Sequence, residues 1–218
     1  MKLNSTQILK NSAIGLSLVL LSSVTFAQTK LEKKVQEVVA SSFKENGIAK
    51  LDRLQQDFSN KECSKAEMSG KPINPKIAKK IEAMNLATIK LPSDGNYIGS
   101  WKEGEKLAQN GRGNTWSDKA GDPNGGNCYN CHKISKEELS YGTIGPSLYN
   151  YGKLRGVTDV KAESAKATVQ YTWGKIYNSK AYNACSNMPR FAHFKLLNEQ
   201  QIQDVMALLL DPASPVNQ

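Results

Sequence analysis

The sequence predicts an all-α protein in which a helical N-terminal extension precedes a second helical domain. Six stretches repeat apolar residues every three or four positions, the spacing that places side chains on one face of a helix. Helix-breaking residues separate these stretches, as at Asn46-Gly47, Pro72 and Asp211-Pro212. The predicted boundaries are residues 1–27 for a signal peptide, 28–98 for the helical extension and 99–218 for the second domain.

The first 27 residues have the pattern of a secretory signal peptide. Lys2 and Lys10 lie ahead of an apolar stretch from Ala13 to Leu21, and small residues ending at Ala27 provide a cleavage site. This stretch is too short for a permanent membrane span, and no cysteine near the cut could carry a lipid, so we expect no membrane anchor. The less favoured alternative is a retained N-terminal anchor. We expect a soluble, exported mature chain of 191 residues.

The mature chain is basic, with 27 Lys and Arg against 20 Asp and Glu, a net charge of +7. Such a charge is compatible with docking to an acidic protein partner. The basic residues are spread evenly and form no block, which is typical of a solvated surface and does not support nucleic-acid binding.

The extension contains three stretches with helical periodicity. The first ends at Asn46-Gly47, the second near Ser59-Asn60, and the third follows Pro75. Their apolar positions are, in order, Leu31, Val35, Val38, Val39 and Phe43; Ile48, Leu51, Leu54 and Phe58; and Ile77, Ile81 and Met84. Stripes this short predict packing surfaces rather than a coiled coil. Residues 91–95 read as the linker into the second domain.

The second domain begins with a helix from Trp101 to about Gly111. Ser100 and Glu103 have the spacing of a capping box, and Gly104 would let another helix cross closely. Residues 114–127 are rich in Gly, Asn and Asp and predict a surface loop. Helices are also predicted over about 162–178 and 198–210, with apolar positions at Ala165, Val169, Trp173 and Ile176, and at Ile202, Val205, Met206 and Leu209.

The segment that carries the chemistry is Cys128-Tyr129-Asn130-Cys131-His132, which matches the attachment motif of c-type haem. Each thiol adds to a vinyl group on one edge of the porphyrin, so both sulfurs must come from a single turn of backbone. His132 then projects under the ring, where its Nε2 can bind the iron. The motif predicts one covalent haem c held by Cys128 and Cys131. Since haem is attached only after export, we expect a periplasmic protein.

A zinc half-site is the alternative interpretation of the two cysteines. Such a site needs two more ligands at a comparably short spacing. The remaining candidates, Cys63, Cys185 and His193, form no second tight pair. Cys63 and Cys185 are instead an even remainder in an oxidising compartment, which predicts one disulfide. It would close a loop of about 120 residues, worth roughly 4–5 kcal/mol. Two free thiols are the alternative.

Met188 is the predicted sixth ligand of the iron, across the ring from His132. It is the only methionine of the second domain that falls on a predicted loop, where Pro189 stiffens it. A thioether ligand raises the reduction potential. His193, five residues further, is the rival ligand and would give a lower potential. Pro146, fourteen residues beyond His132, can accept the Nδ1–H of that ring with its carbonyl, which would orient the ligand. Otherwise it is an ordinary loop proline.

Together these features resemble class I cytochromes c. More narrowly, Ile144-Gly145-Pro146-Ser147-Leu148, Asn187-Met188-Pro189-Arg190-Phe191 and the ending at residues 210–217 resemble the SoxX family. Its members are the mono-haem subunits of the SoxAX complexes of bacterial thiosulfate oxidation. The resemblance covers roughly residues 99–218. The chain departs from the pattern at Ala192, where the family often has Gly, and at Leu208, where class I cytochromes c usually have an aromatic residue.

The resemblance implies a heterodimer with a SoxA-type haem subunit, acting on a SoxYZ-type carrier protein whose cysteine is oxidatively joined to thiosulfate. In such an L-cysteine S-thiosulfotransferase-type complex the bond-forming chemistry belongs to the partner's haem. This chain would be a non-catalytic subunit that passes electrons to a downstream cytochrome c. In agreement, we identify no catalytic residues and no histidine besides His132 and His193. The alternatives are a free-standing periplasmic electron shuttle unrelated to sulfur, and a haem gas sensor with a weakly held sixth site.

Overall fold

The computed structural model describes residues 30–31 and 33–218, so the predicted signal peptide lies outside the described residues. The described part of the chain is helical and contains no β-strand, with one isolated bridge between Asn46 and Ala49. The all-α prediction is therefore confirmed. None of the described helices is both long and apolar enough to cross a membrane.

The chain divides into two compact units after Glu45. In the first unit, residues 33–42 are helical, and the side chains of Leu31, Val35, Val38 and Phe43 are all more than half exposed. The second unit runs from Asn46 to Gln218. Residues 46–98, which the sequence assigns to the extension, thus share a compact unit with the domain that carries the Cys-x-x-Cys-His motif.

Six α-helices make up the second unit. Two precede the motif domain and four lie within it: α1 Phe58–Met68, α2 Pro75–Leu86, α3 Trp101–Gln109, α4 Tyr151–Leu154, α5 Lys166–Tyr177 and α6 Glu199–Leu210. Short 3₁₀ turns occupy Leu51–Leu54, Cys128–Asn130, Glu163–Ala165, Ser179–Ala181 and Pro215–Asn217. The predicted linker at residues 91–95 lies outside these elements.

The predicted helix over the second amphipathic stretch, residues 48–58, is wrong. That stretch forms the 3₁₀ turn Leu51–Leu54 and then continues as extended backbone at Gln55. The helix α1 begins where the predicted one ends, because the Asp57 carboxylate accepts the backbone N–H of Asn60 at 2.8 Å and caps the first turn. By contrast α2 is confirmed, with Pro75 in its first turn and Ile81 fully buried.

The core of the second unit is built around the crossing of α3 and α6. Gly104 makes this crossing possible as predicted, because a Cβ at that position would overlap the backbone carbonyl of Asp204. The four predicted inward residues of α6, Ile202, Val205, Met206 and Leu209, are each at most 4% exposed.

The backbone N–H groups at the start of α3 find a different partner from the predicted one. The Ser100 side chain makes no capping bond, so the capping box predicted for α3 is wrong. Instead the Ser100 N–H donates to the Asp204 carboxylate at 2.8 Å, which ties α3 to α6. A capping box does occur at α6, where Asn198 and Gln201 exchange bonds of 2.9 and 3.0 Å.

Candidate haem site

A single tight turn presents both thiols of the motif. Asn127 adopts a left-handed backbone conformation with φ of 51°, and the 3₁₀ turn Cys128–Asn130 follows. The backbone N–H groups of Cys131 and His132 both donate to the Cys128 carbonyl, at 3.1 and 2.9 Å. The two thiols and the imidazole therefore leave the backbone within one turn, as haem attachment requires.

Packing against α3 holds this turn in place. The Tyr129 ring is 6% exposed, and its hydroxyl donates to the Glu105 carboxylate of α3 at 2.8 Å. Burial, helped by the nearby Cys131 and Glu105, raises the pKa of the Cys128 thiol to about 12. The Cys128 thiol is consequently neutral at physiological pH in this apolar setting.

The ring of His132 is oriented by the Gly145-Pro146 segment. Its Nδ1 lies 2.7 Å from the Pro146 carbonyl oxygen. A carbonyl can only accept, so Nδ1 carries the hydrogen and the Nε2 lone pair is left for a metal. Gly145 lies so close that a Cβ there would overlap the imidazole. The Gly145 N–H also donates to the Cys131 carbonyl at 2.8 Å, which fixes this segment to the motif.

His132 and Met188 line the same narrow cavity, and Cys128 also lines it. The rest of the wall is apolar and comprises Ala108, Ile134, Leu148, Ile176, Phe191, Leu197, Val205, Leu208 and Leu209. The cavity volume is about 30 Å³. An imidazole nitrogen, a thioether sulfur and a thiol on one apolar cavity are a donor set that fits covalent haem with His and Met ligands.

Met188 is held by hydrogen bonds on both sides of its peptide unit. Its carbonyl accepts the Ser179 hydroxyl at 2.6 Å, and its N–H donates to the Ser186 hydroxyl at 3.3 Å. The rival ligand His193 is not among the residues that line the cavity, and its ring packs edge-on against Phe194. Burial lowers the pKa of His193, and the Arg190 charge lowers it further, while Asp57 opposes the shift.

Cys63 and Cys185 form a disulfide in the structure, with 2.11 Å between the sulfurs and 5.5 Å between the Cα atoms. Cys128 and Cys131 take no part in a disulfide, which leaves both sulfurs for haem attachment. Among the described residues, no group of three or more His, Cys, Asp or Glu side chains could hold a metal ion together, which disfavours the zinc interpretation of the motif.

The sequence did not reveal the role of Arg190, two residues after Met188, or of Asp57 and Asn85, which contact it. Arg190 is 3% exposed, and its Nη1 bonds the Asp57 carboxylate at 2.6 Å and the Asn85 side-chain oxygen at 3.3 Å. Arg190 belongs to the Met-Pro-Arg-Phe string, which resembles a known family but assigns no role to the arginine. Nothing in the sequence pairs it with Asp57 or Asn85, which lie 133 and 105 residues away.

Comparison with known proteins identifies the family of this chain. The cytochrome c family model matches residues 101–211, about half of the chain, and this range includes the motif, Pro146 and Met188. An uncharacterized lipoprotein of Aquifex aeolicus (strain VF5) is 35% identical over 195 residues, covering 89% of this chain and 84% of that protein. The predicted haem domain, residues 99–218, has 120 residues, which is fewer than the 195 residues that match. The similarity to this relative therefore includes part of the N-terminal extension. The chain belongs to the cytochrome c family and is an electron-transfer protein that carries covalently bound haem c.

Proposed function

We propose that this chain is the mono-haem electron-transfer subunit of a periplasmic complex that oxidatively couples thiosulfate to a carrier-protein cysteine. The observation that carries the electron-transfer part is the meeting of His132 and Met188 on one apolar cavity beside Cys128. Two protein ligands leave no open iron position, which favours electron transfer over gas sensing. The single Cys-x-x-Cys-His motif supports one haem per chain.

The residues around the site have separable roles in this proposal. The Cys128 and Cys131 sulfurs would attach the haem, and His132 and Met188 would ligate its iron. The Pro146 carbonyl fixes the His132 tautomer and increases its donor strength. A bound haem supplies a one-electron Fe(III)/Fe(II) couple, and the thioether of Met188 favours the ferrous form. The apolar wall excludes water from the iron and keeps that preference.

The sulfur-oxidation part rests on the resemblance of the Met188-Pro189-Arg190-Phe191 string and the C-terminal ending to the SoxX family. On that basis we propose a heterodimer with a SoxA-type haem subunit, a SoxYZ-type carrier as the substrate protein and a downstream cytochrome c as electron acceptor. The predicted signal peptide, which ends in small residues at Ala27, supports periplasmic placement.

The iron ligands are tested on the purified, haem-loaded protein. We expect one haem per chain by mass and by the absorbance of its pyridine complex, and a near-infrared thioether band in the oxidised form. Met188→Ala should abolish that band and lower the reduction potential. Met84→Ala on α2, where the side chain is 47% exposed, is the matched control and should change neither. A band that survives Met188→Ala would exclude Met188 as the ligand.

The partner assignment is tested by affinity capture from cells of the source organism grown with and without thiosulfate. We expect a second haem-bearing subunit in the thiosulfate-grown sample, and reduction of the captured haem when the carrier protein and thiosulfate are supplied together. Capture of no haem partner, with the chain still exchanging electrons with another cytochrome c, would favour the free-standing shuttle.

A further inference from the structure

The segment of residues 183–191, called here the Met188 loop, is tied at both ends to the part of the chain that precedes the haem domain. The loop has no helical hydrogen bonds of its own except a single turn bond from Ser186 N–H to the Asn183 carbonyl at 3.0 Å. Its conformation therefore depends on contacts with other elements.

Before Met188, two contacts reach α1 and α2. Cys185 is joined to Cys63 of α1 by the disulfide. The neighbouring Ala184 N–H donates to the Glu82 carboxylate of α2 at 3.3 Å. The covalent bond limits how far this end of the loop can move away from α1.

After Met188, Arg190 makes the second attachment. Its guanidinium contacts Asp57, the N-cap residue of α1, at 2.6 Å and Asn85 of α2 at 3.3 Å. Asn85 is itself fixed, because its side-chain nitrogen donates to Ser59 at 3.0 Å and its oxygen accepts from Asn178 at 3.0 Å. The Arg190 side chain is 3% exposed, so loss of the Asp57 carboxylate would leave the buried Arg190 charge without this anionic partner.

We propose that Asp57, Asn85 and Cys63 are positioning residues that clamp the Met188 loop and so hold the thioether on the haem iron. The proposal rests on Met188 ligation. A neutral thioether is a weak iron ligand, so it binds well only where the protein already holds it at the iron. A loop that is fixed at both ends loses little conformational entropy when its thioether binds. Residues 57–85 thus act on the reduction potential through Met188 without touching the haem.

The test is a competition between Met188 and added imidazole for the iron of the oxidised, full-length holoprotein. Displacement of Met188 is measured as loss of the thioether band. Asp57→Asn removes the charge facing Arg190, yet an Asn at this position can still cap α1. We expect imidazole to displace Met188 at about tenfold lower concentration in this variant, and the reduction potential to fall. The matched control is Glu62→Gln, which breaks the Glu62–Lys65 pair of 2.7 Å on the same helix and should leave both values unchanged.

A second measurement keeps the proposal testable if Asp57→Asn yields no holoprotein. Wild-type holoprotein is titrated with imidazole before and after cleavage of the Cys63–Cys185 disulfide, in which the reduced thiols are alkylated and the iron is then reoxidised. Cleavage should also lower the displacing concentration. Ile202→Val, which removes a methyl group from the core away from the loop, controls for general destabilisation.

The outcomes separate the clamp from the ligand assignment. Unchanged imidazole titrations in both Asp57→Asn and the reduced wild type, with the band present, overturn the clamp alone. An equal effect of Ile202→Val also overturns it. A wild type with no thioether band overturns the clamp and Met188 ligation together, while electron transfer by the haem itself would remain to be measured separately.

Discussion

The absence of a side chain at Gly145 provides the space that the His132 ring occupies. A Cβ at this position would overlap the imidazole, and the segment cannot withdraw because the Gly145 N–H is bonded to the Cys131 carbonyl. Gly145→Ala should therefore turn the ring, at an overpacking cost of about 1–3 kcal/mol. We expect less haem per chain and a lower thermal midpoint of the holoprotein. Ser147→Ala, at an exposed position in the same segment, is the control. Full haem loading with an unchanged midpoint in Gly145→Ala would show that the contact is not restrictive.

Asp57 gives the protein a specific dependence on acid. Burial acts to raise the pKa of Asp57, but the hydrogen bond and charge of Arg190 and the Asn60 N–H outweigh it, so the pKa is lowered from 3.8. A group with a depressed pKa in the folded state stabilises the protein above its unfolded pKa, and the contribution is lost as pH falls through the folded pKa.

The corresponding variant is Asp57→Asn, measured by urea unfolding of the holoprotein. The Asp57 side chain is 38% exposed, so solvent screening limits the expected loss at pH 7 to about 1–2 kcal/mol. The difference from the wild type should shrink as the pH falls below the ordinary Asp pKa and then through the lowered pKa of folded Asp57. A gap of constant size from pH 7 to pH 3 would mean that the carboxylate charge is not responsible.

The close crossing of α3 and α6 restricts side-chain size. At Gly104 the two backbones touch, and the Leu208 side chain lies next to the same point. Gly104→Ala must push the helices apart, although alanine favours an isolated helix. We expect a loss of about 1–3 kcal/mol in the free energy of unfolding. Glu103→Ala, exposed on the same helix, should stay within about 0.5 kcal/mol. A stabilised Gly104→Ala would show that α3 can shift freely.

Some helices can be predicted from the sequence and others cannot, because only some of them bury a stripe of apolar residues. The positions of α2, α5 and α6 follow from apolar residues that they bury, such as Ile81, Trp173 and Ile202. The polar helix α1 buries only Ser59 and is held by the Asp57 cap, the disulfide and Arg190, which leave no periodic pattern. The Ser100–Glu103 spacing predicted a capping box, but Asp204, about 100 residues later, takes the backbone N–H instead.

The residues of the haem site could be predicted from the sequence more fully than the residues that hold the Met188 loop. The motif, the Gly-Pro pair and the Met-Pro pair are local strings with defined chemistry, so Cys128, Cys131, His132, Pro146 and Met188 could be named from sequence. The clamp depends on residues more than 100 positions apart, and pairs at such distances are fixed by the fold. Residues 46–98 share a compact unit with the haem domain, and that unit begins at Asn46.

Two truncations of the mature chain test this division, each exported behind the same signal peptide. Removal of residues 28–45 takes away the first unit, whose described side chains Val35, Val38 and Phe43 are exposed. The shortened protein should keep its haem, its thioether band and its thermal midpoint within about 2 °C, which is less than 1 kcal/mol would cause in a domain of this size. Removal of residues 28–98 instead deletes α1 and α2, with Asp57, Cys63 and Asn85.

The longer truncation leaves Cys185 without its partner, Arg190 without its counter-charge and the Trp173 Nε1–H without the Lys90 carbonyl that accepts it at 2.8 Å. Haem can still attach, because Cys128, Cys131 and His132 are retained, but the thioether band should weaken or disappear and unfolding should occur at a lower urea concentration. A fragment of residues 99–218 with a full-strength band would show that the haem domain positions Met188 by itself. Loss of the band on removal of residues 28–45 would move the functional boundary into the first unit.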